Sequence, residues 1–321
     1  MVGKLTPDNM MSASLVPAML GLSPYKSQNE LLKTFVDLDA GTPPHAWEGN
    51  ELTWWGNELE PLVLREAANR LQLDQLNTDH TEAYYHPELP LACSLDGDAV
   101  GTGQVEHNPA RGIYLQAGDF YNLAGKRVII EAKTTQAAPE DQPPAWRGPM
   151  QLQAQMMVTG AEYGVVAVLY RGSELRCFVY PVVSILRSQI LDGLLEFERR
   201  RRDIDWYPVL SSDDGNVAYA NVDDGAPPLD IDSAGPDVAE AFEALVEAKR
   251  LKKECDQAID AAEAALKEWM GNHEEATGVA DGVTYKLRWP MRNVKAQPAK
   301  QVPAKPAQKV RQNALTIKEM R

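Results

Sequence analysis

The run GKRVIIEAKTT at residues 125–135 puts charge where a strand wants burial. Its centre is β-branched and apolar, so residues 127–133 read as a strand. Side chains two apart on a strand share a face, which sends Glu131 and Lys133 one way and Ala132 the other, into the core. A second apolar stretch, LPLACSLDGDAVGTGQ at 89–104, closes on Asp96, Gly97 and Asp98. A partner strand ending at Asp96 would bring its carboxylate beside Glu131. Two neighbouring carboxylates repel and raise each other's pKa unless a cation lies between them. Mg²⁺ accepts such a site, since it takes hard oxygen ligands and keeps several waters. A lysine beside it can orient a water, or help deprotonate it, for attack on phosphorus. An Asp-Gly turn with a surface ion pair accounts for the same letters, and the pattern by itself leaves both readings standing.

The rest of the chain places that strand in a mixed α/β or α+β core. Residues 8–37 read as two short helices around GLSPYKS, with Ser27 as the cap of the second. A Pro/Gly-rich loop follows at 40–50. WGNELEPLVLREAANRL at 55–71 repeats its apolar positions at helical spacing. Strand-like runs come at 82–86, 89–95, 112–116, 163–170 and 174–182, with helices at 146–160, where Gly160 is the stop, and at 183–204. Residues 210–236 are acidic and rich in Gly and Pro, the composition of a linker. A long helix over 237–270 carries an apolar stripe that needs a partner surface, either the core, its own hairpin or another subunit. Packing against its own hairpin is the plainest of these. The hairpin itself is expected at 278–289, turning at Asp281-Gly282. The expected division is a domain at 1–209, a linker at 210–236, an accessory helix and hairpin at 237–293, and a disordered tail at 294–321.

Composition narrows the function classes. The formal net charge of −14 disfavours nonspecific coating of nucleic acid, because the phosphate backbone rewards Lys and Arg. The average hides a polarity: the tail from 294 carries seven Lys or Arg against the single acid Glu319, and RRRR occupies 199–202. The three cysteines are far apart with no C-x-x-C pair, which suits a reducing cytosol and no zinc knuckle. The five histidines make no H-x-x-x-H, and no G-x-x-x-x-G-K-[ST] occurs, so a zinc hydrolase and a P-loop ATPase are both disfavoured. There is no signal peptide pattern and no run of about 18 apolar residues. Trp54 and Trp55 could stack on a base or anchor the start of their helix.

ACSLDGD and VIIEAKTT together resemble the D…(E/D)-x-K core of the PD-(D/E)xK nuclease superfamily. More narrowly, the chain is similar to the YqaJ-like phage recombination nucleases of the lambda exonuclease type. Three further blocks match in order: SASLVPAMLGLSPYKSQNELL, WWGNELEPLVLREAANRL and MQLQAQMMVTGAEYGVVAVL. The resemblance spans roughly residues 10–205. It implies a restriction-endonuclease-like fold, a central mixed sheet flanked by helices. It implies that Asp96 is the bridging metal ligand, Glu131 the second and the Ala132 carbonyl a third, with Lys133 activating the water. Asp98 is a rival to Asp96, and Leu95 replaces the family's usual proline. Glu60 falls where the family has a helix-borne glutamate near the metals, while Gln151 and Gln153 fall on its Q-x-Q helix. Ser14 sits where relatives contact a terminal phosphate, although the arginine that accompanies it in some of them is absent here. Lys26, together with Arg199, Arg200, Arg201 and Arg202, completes the candidate DNA contacts; the arginines could equally complement the C-terminal end of their helix.

The function so implied is a Mg²⁺-dependent deoxyribonuclease, with Mn²⁺ as a substitute and two ions per site. It would resect double-stranded DNA 5′→3′ for a single-strand annealing protein, in the cytoplasm of a bacterium carrying a phage or prophage, as a homo-oligomeric ring trimer. The alternatives are a structure-specific endonuclease using the same site and a catalytically inactive module that binds DNA or a partner.

Overall fold

The computed structural model describes residues 5–42, 49–220 and 226–291. The chain divides into two compact units, Met1–Ala220 and Asn221–Arg321. The basic tail expected to be disordered lies outside the described residues.

The first unit opens with β1 (Met11–Ser12), α1 (Val16–Met19) and α2 (Gln28–Asp39), followed by α3 (Glu51–Leu71). Ser27 caps α2 through a full capping box: its hydroxyl accepts from Glu30 N while Glu30 accepts from Ser27 N. Six strands make the central sheet in the order β2 (Leu73–Asn77), β5 (Gly97–Gly101), β9 (Arg127–Thr135), β10 (Tyr163–Tyr170), β11 (Glu174–Pro181) and β7 (Ile113–Leu115). β9 runs parallel to β10 and β11 parallel to β7, while the other pairs are antiparallel, so the sheet is mixed as expected. β3 (Tyr84–Tyr85) and β4 (Leu91–Cys93) form a small sheet with β1, and β6 (Gln104–Glu106) pairs with β8 (Phe120–Asn122). The helices α4 (Pro149–Thr159), α5 (Ser184–Asp203) and α6 (Ser212–Ala218) complete the unit.

The pleat of β9 sorts its residues between two cores. Val128 and Ile130 face a cluster with Val63, Leu64, Ala67 and Leu71 of α3. Ile129 faces the opposite cluster, which contains Leu152, Ala154 and Met156 of α4 and Ile190, Leu194 and Phe197 of α5. Residues of odd number therefore point toward α4, and Glu131 inherits that direction.

Three expectations are corrected here. Asp96 does not end a strand; it lies between β4 and β5, and it is β5, not β4, that pairs with β9. Gly97 does not stand in the Asp-Gly turn that was the other reading of these letters. It begins β5 so close beneath α3 that an added Cβ would lie 3.3 Å from Leu64 Cδ2. Residues 210–236 are not linker throughout, since α6 packs on α2 within the first unit. Asp214 of α6 is buried, and its carboxylate accepts from Ser27 Oγ (2.6 Å), Asn29 Nδ2 (3.0 Å) and Leu210 N (3.2 Å). Asn29, wholly buried, also donates to Tyr207 O (3.1 Å) and accepts from Tyr207 N (2.8 Å). A short acidic segment looks like linker by composition, because the polar partners that bury it lie about 185 residues away.

In the second unit, α7 (Pro236–Met270) leads to β12 (Glu275–Ala280) and β13 (Val283–Arg288), an antiparallel hairpin turning at Asp281-Gly282 with both residues at positive φ, as the Asp-Gly pair predicts. Met270 is the one buried residue of α7, so its hairpin covers little of the stripe that was expected to pack on it. Among the described residues no helix is long and apolar enough to cross a membrane.

Asp214→Ala should leave Asn29, Ser27 and Leu210 donors without their acceptor and cost about 2–4 kcal/mol, the range for breaking a buried charged hydrogen-bond network. Urea denaturation with an unchanged slope and a lowered midpoint is the expected outcome.

Candidate active site

The centre of the site is a buried carboxylate. Glu131 is 1 % exposed on β9, and a charge so placed must be paired or hydrogen-bonded. Its Oε1 accepts from Lys133 Nζ (2.5 Å) and Gln151 Nε2 (2.7 Å). Its Oε2 accepts from Gln155 Nε2 (2.6 Å), which also donates to Ser94 O (3.2 Å). The strand supplies Lys133 two residues on, and α4 supplies both glutamines from one face, four residues apart.

Asp96 arrives by a different route. Ladder pairing between β5 and β9 stops at Gly97 and Ile130, leaving the β9 backbone beyond it without a strand partner on that edge. The Asp96 carboxylate takes over there: its Oδ2 accepts from Ala132 N at 2.9 Å. In an extended strand the carbonyl of a residue leaves on the same edge as its N–H. The Ala132 carbonyl therefore faces the edge where Asp96 lies, at the middle of β9 and next to Glu131 in the chain.

Electrostatics follow from the crowding. Burial is the largest influence on Asp96, the charge of Glu131 adds to it, and the carboxyl is pushed well above the usual aspartate range despite Lys133 and the Ala132 N–H. Glu60 on α3 is raised for the same reasons, burial first and then Glu131, with Lys133 opposing. Burial alone would push the Lys133 ammonium down. The charges of Glu131, Asp96 and Glu60 and the bond to Glu131 outweigh it, and the net direction is up. Lys133 is thus held as a cation, with 31 % of its side chain still accessible.

That accessible side opens into a cleft of about 880 Å³ bordered by Tyr25, Trp55, Glu60, Ala132, Lys133 and Arg147. Tyr25 stands edge-on to Trp146 with ring centroids 5.3 Å apart, and Arg147 covers the Trp146 ring at 4.7 Å while pairing with Glu140. Trp54 and Trp55 pack edge-to-face at 4.8 Å, each half exposed, so Trp55 is open toward the cleft and is not sealed in a core.

Several candidate residues stand elsewhere. Gln153 is fully buried on the opposite side of α4, donating to Pro181 O (2.8 Å) and accepting from Val183 N (3.1 Å); it ties α4 to the end of β11 and does not reach Glu131. Helical geometry explains the exchange, since residues two apart face away from each other while 151 and 155 share a face. Gln155 was thus missed, although i, i+4 spacing from Gln151 could have found it. Asp98 is no rival to Asp96: its carboxylate accepts from Arg127 Nε (2.6 Å) and Asn77 Nδ2 (3.3 Å) and lies 3.2 Å from His80 Nε2. Ser14 is exposed beside Ser12 (Oγ to Oγ 2.8 Å), and Lys26 Nζ donates to Thr34 Oγ1 (3.1 Å).

The four arginines do not form an open basic strip. Arg199 pairs with Glu196 and Asp205, and Arg200 with Glu196 while donating to Trp206 O (2.6 Å) and stacking over Tyr207. Arg201 binds Asp39 through two nitrogens, each at 2.6 Å, and Arg202 pairs with Asp203. The block closes α5 and fastens it to α2, a structural use of charge at a helix C-terminus.

Among the described residues, no three carboxylate, imidazole or thiol side chains converge into a ready cage for a metal. The donors at the strand end still suit a hard divalent cation of the Mg²⁺ kind, which is commonly held by one or two carboxylates and completed by waters and phosphate oxygens. The Asp96 carboxyl is raised first by burial and then by the charge of Glu131, and a bound cation would favour its ionised form against both.

Residues 7–162 match the family of the YqaJ-like viral recombinase domain. The fold is similar to the crystal structure of LHK-Exo in complex with dAMP, at 16% identity over 61% of this chain and 92% of that one, with a TM-score of 0.41. A second structure, of the alkaline exonuclease LHK-Exo from Laribacter hongkongensis, is similar at 16% identity, with the same coverage and a TM-score of 0.40. A phage-related exonuclease from Haemophilus somnus 129PT is similar at 14% identity over 61% of this chain and 94% of that one, with a TM-score of 0.39. No curated protein matches this chain.

The Asp96 shift has a sign that can be measured. Its folded pKa lies above its unfolded value, so the fold loses stability as pH rises from the ordinary aspartate range through the raised value. In Asp96→Asn the amide oxygen can still accept from Ala132 N, and the loss should vanish. With EDTA present, the variant should melt higher than wild type at about pH 8 and by a smaller margin at about pH 5. Parallel melting curves across that range would contradict the assignment.

Proposed function

We propose, from the match of residues 7–162 to the YqaJ-like viral recombinase domain, that this chain is a divalent-metal-dependent deoxyribonuclease, resecting double-stranded DNA 5′→3′ ahead of a single-strand annealing partner. The observation that carries the reading is the meeting of Asp96, Glu131 and Lys133 around Ala132 at the edge of a cleft. Polarity, the annealing partner, the ring trimer and a cytoplasmic setting in a phage or prophage host come from the family resemblance and are part of the same proposal. So is the division of the chain into a nuclease domain and an accessory helix and hairpin, its boundary moved past α6.

In this proposal Asp96, Glu131 and the Ala132 carbonyl would hold Mg²⁺, or Mn²⁺ in its place, with two ions per site expected from the family resemblance. The bound cation supplies Lewis acidity, polarising the scissile phosphate and making a nearby water easier to deprotonate. Gln151 and Gln155 keep the Glu131 carboxylate in one orientation by donating to its two oxygens. Lys133, already protonated by its acidic neighbours, donates to the phosphate or the attacking water and stabilises the charge that grows on phosphorus. It is a poor general base for the same reason. Glu60, whose carboxyl is raised and borders the cleft, is the better acceptor for the proton of the water. Trp55 and the Tyr25–Trp146 pair line the route by which a strand would reach Lys133.

The test is digestion of linear duplex by wild type and Lys133→Ala, with Mg²⁺ and then with EDTA. Wild type should digest with Mg²⁺ or Mn²⁺ and stop with EDTA, whereas Lys133→Ala should lose about 10²–10³-fold in rate, as for loss of one transition-state donor, and should stay folded at assay temperature with a lowered melting temperature, because the buried Glu131 loses its cationic partner. Equal rates would remove Lys133 from the chemistry. Gln155→Ala should slow digestion by at least about tenfold, as expected for a group that orients a ligand, while Gln153→Ala should act on stability. Covalently closed circles resist an exonuclease and are cut by an endonuclease, and end-labelled duplex reads the polarity.

A further inference from the structure

The long helix of the second unit holds a pattern that the proposed nuclease does not use. From Val238 to Trp269 it keeps an unbroken seven-residue repeat. The first position is Val238, Leu245, Lys252, Ile259 and Leu266; the fourth is Ala241, Ala248, Cys255, Ala262 and Trp269. Such a repeat is the seam of a coiled coil. The outer face agrees, since Arg250 pairs there with Glu247 and Glu254. The seam is bare: Ile259 is 57 % exposed, Leu266 43 % and Val238 48 %. A helix of this length, about 52 Å at 1.5 Å per residue, draws its stability from burying such a face.

We propose that α7 is a self-association helix, pairing antiparallel with α7 of a second copy of this chain. The flanks of the seam carry the choice of partner and direction. On one flank stand Ala244, Leu251, Ala258 and Ala265, all apolar; on the other stand Phe242, Lys249, Asp256 and Glu263. In an antiparallel pair each flank meets its own kind from the other copy, whereas in a parallel pair the two flanks meet each other. Antiparallel pairing sets Leu251 against Ala258 and Lys249 against Asp256, the latter twice by symmetry. Parallel pairing would press Leu251 against Asp256 and align two Lys252 ammonium groups in one layer. The seam is nearly symmetric about its midpoint, Lys252 facing Cys255 and Leu245 facing Ala262, so one surface serves both copies as an isologous contact requires. Alanine at three of the five fourth positions lets the two backbones approach closely.

Sedimentation of the full chain over a range of concentrations tests this. Wild type should show twice the mass of Leu245→Asp/Ile259→Asp, whether the smaller species is one chain or a larger assembly closed through other surfaces. Lys249→Glu keeps the helix and should weaken the association about tenfold through two like-charge contacts, and adding Asp256→Lys should restore it to within about threefold. Equal masses for wild type and the double aspartate variant would overturn the proposal, as expected if another part of the same chain or a different protein covers the seam. Failure of the charge swap to restore association would overturn the antiparallel pairing. Neither readout involves DNA cleavage, so this inference and the nuclease reading fail separately.

Discussion

Glu131 is the constraint around which the first unit is arranged. A carboxylate at 1 % exposure is intolerable without compensation, and the compensation comes from three donors on two elements. Lys133 lies on the same strand and so arrives automatically once β9 forms. Gln151 and Gln155 require α4 to lie across the sheet at one angle, and the apolar residues beside them, Leu152, Ala154 and Met156, set that angle by burial against Ile129 and its neighbours. Packing energy thus holds the polar network in place. The network in turn specifies which register of helix on sheet is tolerated, since a slip would strand a buried charge.

The second acid is placed by backbone accounting. Where β5 stops pairing with β9, an N–H is left at Ala132 that must find an acceptor, and Asp96 provides it. The same contact brings a second negative charge beside the first. The result is a site that pushes up the Asp96 and Glu60 carboxyls and holds Lys133 charged. Those shifts give the three groups different charge preferences, which is the basis on which the proposal assigns them different roles.

Charge outside the site follows a different rule. The arginines that close α5 are spent on Glu196, Asp205 and Asp39, and one of them braces α5 against α2. The acidic segment after α5 is partly folded, with Asp214 satisfying donors from α2. These opposite-signed stretches therefore serve the fold, and a basic or acidic run reads as a binding surface only until its partners are located.

Letters alone determined the strand with Glu131 and Lys133 on one face, the Ser27 cap, the Asp281-Gly282 turn, and the two strands at 163–170 and 174–182. All of these rest on short-range periodicity or on turn chemistry. They also placed Asp96, Glu131 and Lys133 in one set, through a resemblance whose family the comparison supports. Tertiary structure decided the rest: that β5 and not β4 lies beside β9, that Gln155 and not Gln153 reaches Glu131, and that Asp98 belongs to Arg127 and His80. Each of those choices depends on which elements meet in space. A one-dimensional pattern gives the direction of a side chain relative to its own element, but not the neighbour standing there.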